Sequence, residues 1–337
     1  MVWFKRGLAL AALGVLIYLF WPLLAEIEAA AGLFKTANWA WLPLALAIYL
    51  TSYSFLTWLN SMALEPFEGH IRFPKLAAVL TSIAFIEVAI PSAGASGVAL
   101  RARLLGKHGR FSFEGSTFSL VLESIYMSFA MVILGFLGLF YLVQQGQISN
   151  VQLSGLGVGV TLIIIAIWSG WRVVHNQTLS QKILFKLADG WNRIGRGFLQ
   201  IEKETLENRL RIFHLGLKQL GKAPRWKFIL AAFGRVTLDV VTLGMCFVLF
   251  QNPLPLGTLF VGYGLTLLIS GLASLPGGLG LADASIPVIF ASLGVPGAVA
   301  LAAGLTYRLM AYWMVRFIGF VSWQVLESGN RGFSNPG

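Results

Sequence analysis

Residues 257–293 read GTLFVGYGLTLLISGLASLPGGLGLADASIPVIFASL, an apolar segment that the cluster PGGLG interrupts at 276–280. A membrane span takes about 20 apolar residues, and proline followed by glycine ends a helix. Such a break frees backbone N–H and C=O groups that hydrocarbon cannot satisfy. The segment therefore predicts a helical hairpin whose break either lines a polar cavity or is buried in protein for packing alone.

A second apolar segment carries a similar break. Residues 76–100 contain Glu87 and the cluster PSAGASG at 91–97, and basic residues flank this segment on both sides. By the positive-inside rule, two basic flanks favour a hairpin that enters and leaves from the cytoplasm. No basic residue flanks 257–293, which favours entry from the external side, although a full span over 257–275 stays open. Two breaks of opposite orientation indicate an inverted repeat, an arrangement in which many carriers place a substrate site.

The composition assigns the rest of the chain to the membrane as well. Of 337 residues, 57% are hydrophobic and 12% are charged, and the mean hydropathy is +0.75. A single water-soluble core cannot bury that much apolar surface. The net charge of +11 does not indicate a nucleic-acid partner, because the basic residues lie in segments between apolar runs.

Apolar runs between these basic segments predict about six full spans in addition to the two hairpins. We expect spans at Leu8–Ala25, Trp39–Leu64, Phe118–Val143, Gly155–Val174, Phe228–Phe250 and Ala298–Leu326. The first run is also compatible with a signal peptide, but its length favours a retained span. We predict an all-α, polytopic membrane helical bundle with two broken, re-entrant hairpins. We place it in the bacterial cytoplasmic membrane with both termini cytoplasmic.

The domain prediction is a single transmembrane domain over 1–337. Its parts are a first half at 7–174 with a hairpin at 76–107, a connector at 175–227, and a second half at 228–327 with a hairpin at 257–295. Heptad spacing in the connector predicts an amphipathic cytoplasmic helix; its apolar positions are Leu206, Leu210, Phe213, Leu217 and Leu220. Packing against the membrane surface or the bundle is one interpretation, and docking of a partner is the other.

Ionisable side chains inside apolar segments are the candidate site residues, because each costs about 2.5–3.5 kcal/mol on insertion scales unless it is paired or solvated. Glycine at a break lets the backbone approach a ligand closely. Structural pairing is the competing interpretation, above all for Arg235 and Asp239, which are one helical turn apart. We predict that the substrate contacts Glu87, Pro91, Gly94, Gly97, Arg101, Glu123, Arg235, Asp239, Pro276, Gly277, Gly278, Gly280, Asp283 and Arg308.

Residues typical of metal or covalent chemistry are scarce. Cys246 is the only cysteine, and the four histidines share no ligand-like spacing, so we predict no metal and no other cofactor. The chain has no GxSxG, HExxH or Walker sequence that would supply a nucleophile, a metal or a nucleotide. We therefore do not expect an enzyme.

Several motifs resemble one family. They are PGGLG at 276–280 with Asp283, LGVP at 293–296, TYRLMAYW at 306–313, and the 91–105 segment that ends in RARLL. Together they resemble the flippase-like transmembrane domain of lysylphosphatidylglycerol synthases, in a stand-alone form without the aminoacyl-transferase domain. The resemblance implies a bundle of inverted repeats that moves polar lipids between leaflets, and it adds Tyr307 to the substrate-binding residues.

The leading hypothesis is a lipid flippase or carrier whose partners are membrane lipids. Arg101 and Arg308 would hold the lipid phosphate, while Glu87, Glu123 and Asp283 would meet cationic head-group atoms of an aminoacylated lipid. The alternative is an accessory membrane protein that organises a lipid-modifying or glycosyl-transferring enzyme at the cytoplasmic face. An oligomer is compatible with either hypothesis.

Overall fold

The structure is a computed structural model, and it describes residues 27–89, 95–146, 161, 164–165, 168–194, 202–220, 225–272 and 281–331. Within this part every regular element is helical, so the predicted all-α membrane bundle is confirmed. The helices are α1 (27–36), α2 (Leu42–Leu64), α3 (Phe73–Ala89), α4 (Ala95–Gly109), α5 (Phe113–Gln144), α6 (168–175), α7 (Gln177–Ile194), α8 (Lys203–Leu220), α9 (Arg225–Leu249), α10 (Leu256–Leu272), α11 (Leu281–Ser292), α12 (Gly297–Arg308) and α13 (Val315–Arg331).

Four helical segments of the described part are long and apolar enough to cross a membrane. They are Trp39–Leu64, Phe113–Gln144, Arg225–Leu249 and Gly297–Ser328. Each matches a span predicted from the sequence. The prediction works because a helix that is apolar on all sides is stable only in lipid or in a large core. Of the remaining two predicted spans, Leu8–Ala25 lies wholly outside the described residues, and half of Gly155–Val174 does.

Both predicted hairpins contain pairs of short helices. Helices α3 and α4, of 17 and 15 residues, pack against each other, and so do α10 and α11, of 17 and 12 residues. Each is shorter than the about 20 residues that a full span takes. The breaks between them, at 90–94 and 273–280, lie outside the described residues.

The chain forms two compact units. The first unit comprises Met1–Leu50, Leu137–Leu142 and Leu238–Met314, and the second comprises Thr51–Phe136, Val143–Thr237 and Val315–Gly337. The predicted halves at 7–174 and 228–327 follow the order of the chain and stay a prediction.

Close helix packing at glycines holds the second unit together. The Cβ of any larger residue at Gly319 of α13 would collide with the backbone carbonyl of Thr81 in α3. Nearby, Phe85 and Phe320 meet edge to face with their ring centroids 5.4 Å apart. At the other end of α3, Leu76 and Leu105 are fully buried in an apolar core. The small-residue contact is typical of helices that associate within a membrane.

The first unit is packed in the same way around α11. Gly262 of α10 faces the ring of Phe290, and Gly304 of α12 faces the side chain of Ile286. The rings of Phe247 and Phe290 lie 4.8 Å apart. These contacts fix α11 between its neighbours although it has only three turns.

A π-helical turn, Leu309–Met314, joins α12 to α13. Such a turn disturbs the regular backbone hydrogen bonds, and π-turns occur often at functional sites. Here the Tyr49 hydroxyl donates a hydrogen bond of 2.9 Å to the Ala311 carbonyl. Five of the six residues of the turn, 309–313, belong to the TYRLMAYW motif that carries the family resemblance.

The predicted amphipathic connector is a pair of helices, α7 and α8, which contact each other. On α8, Leu210 is buried and the Phe213 ring lies 5.1 Å from the Phe118 ring of α5. Gly216 leaves no room for a Cβ beside Phe67. The heptad positions Leu210 and Phe213 therefore pack against other parts of the second unit, which agrees with the packing interpretation.

Candidate functional site

A group of polar side chains lies between α2, α4 and α5 in the second unit; we call Asn60, Arg101, Ser119 and Glu123 the Arg101 cluster. Arg101 Nη2 lies 2.9 Å from Glu123 Oε2 and 3.2 Å from Ser119 Oγ, and it also donates to Asn60 Oδ1. Asn60 Nδ2 donates to Glu123 Oε2 at 3.0 Å. The sequence predicted Arg101 and Glu123 as site residues, and the structure brings them together as an ion pair.

Because the Arg101 cluster is buried, its contribution to stability depends on how well its charges and N–H groups are paired. Arg101 is 5% exposed, and Asn60 and Ser119 are fully buried. A buried guanidinium requires a paired carboxylate and satisfied N–H groups. Its Nε, however, is buried with no hydrogen-bond partner in the described part of the chain. The cluster therefore keeps one donor that an anionic oxygen would satisfy.

Glu87 reaches across the α3–α4 hairpin to the same part of the unit. Its Oε1 occupies the position that a Cβ on Gly97 would take, and Gly97 is itself buried. Gly97 and Arg101 are four residues apart on α4, so they lie on one face of that helix. The structure thus places the Glu87 carboxylate one helical turn along α4 from the guanidinium-bearing residue, and Gly97 allows this close approach.

Arg235 of α9 is another arginine of this unit with described partners. Its Nη1 donates a 2.8 Å hydrogen bond to Ser52 Oγ, and its guanidinium lies 5.6 Å from the centroid of the Tyr53 ring. Both partners belong to α2. Arg235 is therefore held by a hydroxyl and an aromatic face, contacts that a planar guanidinium favours.

The first unit contains a buried carboxylate, Asp239, which is 5% exposed. The Tyr263 hydroxyl donates to Asp239 Oδ2 at 2.5 Å, and the Tyr307 hydroxyl donates to Oδ1 at 3.1 Å. Hydrogen bonds from hydroxyl groups to a carboxylate are among the stronger ones in proteins. Arg308 follows Tyr307 in the sequence, and its guanidinium lies 4.3 Å from the Tyr312 ring centroid.

Some predicted residues lie beyond what the structure describes. Pro91, Gly94, Pro276, Gly277, Gly278 and Gly280 fall outside the described residues, and Asp283 lies on α11 with its side chain outside them. Other residues were missed: Asn60, Ser119 and Tyr263. Their signal was weak but present, because Ser119 precedes Glu123 by one turn, and Asn60 and Tyr263 are polar residues within apolar helices.

The motifs and the fold agree with one family model, the transmembrane region of lysylphosphatidylglycerol synthase, which matches residues 8–319. The chain belongs to this family. The match covers most of both units, both predicted hairpins and every candidate residue discussed above. The predicted resemblance is confirmed, and the family connects this membrane protein with lipid.

Three relatives of this family member come from Methanothermobacter thermautotrophicus strain Delta H, and each is described as a UPF0104 membrane protein. One is 25% identical over 281 residues, covering 81% of this chain and 80% of the relative. Another is 25% identical over 334 residues, covering 94% and 91%. The third is 27% identical over 132 residues, covering 36% and 39%. Similarity of this extent over nearly the full length indicates a shared membrane fold.

Proposed function

We propose that this protein is a flippase or carrier that moves polar lipids, including aminoacylated phospholipids, across the cytoplasmic membrane without catalysing a covalent reaction. The observation that carries the proposal is the Arg101 cluster with Glu87 one helical turn away along α4. Charged groups inside apolar helices are costly, and they mark substrate and ion pathways in membrane proteins.

The chemistry of these groups matches a zwitterionic or aminoacylated head group. Among the described residues Arg101 Nε has no hydrogen-bond partner, and a lipid phosphate oxygen would accept a hydrogen bond from it. Glu87 and Glu123 would meet the ammonium group of the same lipid. Binding would then exchange the Arg101–Glu123 ion pair for contacts with the head group, so that no charge is left unpaired.

The first unit offers a second set of polar groups with the same combination of signs. Asp239 is a carboxylate oriented by two phenols, and Arg308 is a half-buried guanidinium beside Tyr312. We propose that these residues receive the head group at another stage of transport. The acyl chains would stay in the bilayer throughout, and both chain termini would be cytoplasmic.

Reconstitution in phospholipid vesicles tests the proposal. Fluorescent lipids with glycerol, ethanolamine and lysyl-glycerol head groups would be placed in one leaflet, and their movement would be followed by dithionite quenching. We expect wild type to move at least one of them faster than protein-free vesicles do. We expect Glu87→Gln and Arg308→Gln to slow this movement about tenfold, the effect of one lost charge-assisted hydrogen bond.

Matched control variants distinguish an effect at the proposed site from the general effect of removing one charge on the transport rate. Glu65→Gln and Arg211→Gln change exposed residues of the same types and should leave the rate unchanged. If vesicles with and without wild-type protein move every lipid of the panel equally, the proposal fails. That result would favour the accessory role, in which the protein organises a lipid-modifying enzyme.

A further inference from the structure

A large cavity lies in the second unit, away from the Arg101 cluster. Its volume is about 820 Å³, which falls within the range of about 300–1,000 Å³ that is typical of small-molecule sites. Helices α5, α7 and α8 and the end of α6 form its walls, and we call it the α7–α8 cavity. Its lining residues are Phe113, Glu114, Thr117, Val121, Val173, Val174, Ser180, Ile183, Leu184, Glu202, Thr205, Leu206, Arg209, Leu210, Phe213 and His214.

The body of the α7–α8 cavity is apolar. Most of its lining residues are aliphatic or aromatic. The hydroxyl groups of the lining residues already have partners: Thr117 Oγ1 donates to the Phe113 carbonyl, Ser180 Oγ lies within hydrogen-bond distance of the Val173 and Asn176 carbonyls, and Thr205 Oγ1 donates to the Glu202 carboxylate. His214 has its Nδ1 2.9 Å from the Leu210 carbonyl, and its Nε2 is buried with no hydrogen-bond partner in the described part of the chain. The walls therefore favour an apolar occupant, because contact between water and apolar surface of this extent is unfavourable.

Charge is confined to three lining residues of both signs. Arg209 has a side chain that is 44% exposed; its guanidinium lies 4.5 Å from the Phe113 ring centroid, and its Nε lies 3.6 Å from Glu114 Oε1. That separation is longer than a hydrogen bond. Glu202 is exposed and is 3.2 Å from the Thr205 hydroxyl. The guanidinium is therefore held in place by an aromatic face while its N–H groups stay available to a ligand.

We infer that the α7–α8 cavity binds one acyl chain of an amine-bearing phospholipid. The chain fills the apolar body, the phosphate pairs with Arg209, and the ammonium group pairs with Glu202 or Glu114. An arginine held on an aromatic ring is well suited to bidentate contact with phosphate. Two carboxylates and one guanidinium among the lining residues leave an excess of negative charge along the cavity, which favours a head group that carries an amine over one that carries phosphate alone. This site is separate from the transport site proposed above.

Native mass spectrometry of the purified full chain in detergent tests the inference. Phosphatidylethanolamine and phosphatidylglycerol with identical acyl chains would be titrated separately. We expect at least one molecule of the ethanolamine lipid to be retained, with an apparent affinity about tenfold above that of the glycerol lipid. Because lipid also binds elsewhere on a membrane protein, paired variants assign the bound molecule to the cavity.

Two variant pairs make this assignment. Ile183→Trp places an indole in the cavity, whereas Leu187→Trp puts the same group one turn along α7 at a position that is 64% exposed and does not line it. Arg209→Gln removes the guanidinium, and Arg211→Gln removes an exposed one that does not line the cavity. We expect only Ile183→Trp and Arg209→Gln to reduce retention, by about tenfold.

Three results would overturn the inference that the cavity binds an amine-bearing phospholipid. Equal retention by Arg209→Gln and Arg211→Gln would overturn the inference, and this test stands even if Ile183→Trp does not fold. Equal affinity for the two lipids would overturn the assignment of an amine-bearing ligand. Retention of a protein or peptide instead of lipid, lost only in Ile183→Trp and Arg209→Gln, would also contradict it.

Discussion

Glu123→Leu is expected to lower the free energy of unfolding by about 3–5 kcal/mol, because it removes the carboxylate that forms the ion pair with the buried Arg101 guanidinium. Arg101 is 5% exposed, and its ion pair with Glu123 is 2.9 Å long. Asn60 and Ser119 would remain as neutral acceptors, which cannot replace a carboxylate. Denaturant titration in detergent micelles, followed by tryptophan fluorescence, measures the change.

A double variant distinguishes the loss of unfolding free energy caused by an unpaired charge from the net contribution of the ion pair to that free energy. In Arg101→Leu/Glu123→Leu both charges are replaced by apolar side chains, and we expect most of the lost stability to return. Glu65→Leu, at an exposed position after α2, should change stability by less than about 0.5 kcal/mol. If the double variant is less stable than Glu123→Leu alone, the Arg101 side chain stabilises the fold even without its carboxylate, and the expected cost of the unpaired charge is contradicted.

Gly319→Leu is expected to destabilise the second unit by about 3 kcal/mol, at the upper end of the usual cost of overpacking. At this position a Cβ meets the backbone carbonyl of Thr81, and a backbone atom cannot rotate away as a side chain can. Helices α3 and α13 would have to separate, which also disturbs the Phe85–Phe320 contact. The same denaturant titration reports the change in stability.

Gly135→Leu is the matched control for this effect. Gly135 lies on α5, and a Cβ there has no neighbouring atom within 4 Å. Since glycine is a poor helix former, this variant should be as stable as wild type or slightly more so. Equal destabilisation by the two substitutions would show that glycine is needed at both positions for a reason other than the contact between α3 and α13.

The sequence predicted the bundle well because membrane helices are determined mainly by local hydropathy. The spans around Trp39–Leu64 and Phe113–Gln144 needed no knowledge of their neighbours. Arg101 and Glu123 were identifiable for a similar reason, since a charge in an apolar run is unusual wherever it occurs. Their mutual pairing was not predicted, because it depends on how α4 and α5 pack.

Partners that are distant in sequence were the hardest to predict. Asp239 accepts hydrogen bonds from Tyr263 and Tyr307, which lie 24 and 68 residues further along the chain. Arg235, four residues before Asp239 on α9, donates a hydrogen bond to Ser52 on α2, a contact that the sequence did not predict. The α7–α8 cavity was not foreseen either, because a void is a property of several helices packed together and of no single motif.

The orientation of the two predicted breaks is the claim on which the transport proposal depends most. They lie outside the described residues, so a chemical probe is the direct test. Cys246 is the only cysteine of the chain, and Cys246→Ala gives a cysteine-free background. Into it, Ser92→Cys and Ser274→Cys place one thiol at each break, and Ala302→Cys places one at a fully buried position of α12 as a control.

The measurement is the reaction rate of each thiol with a membrane-impermeant maleimide, added to one or the other side of sealed vesicles of known protein orientation. We predict that Ser92→Cys reacts from the cytoplasmic side, that Ser274→Cys reacts from the external side, and that Ala302→Cys does not react. Reaction of both break thiols from the same side, or reaction of neither, would contradict the inverted arrangement and with it the proposed route for a lipid head group.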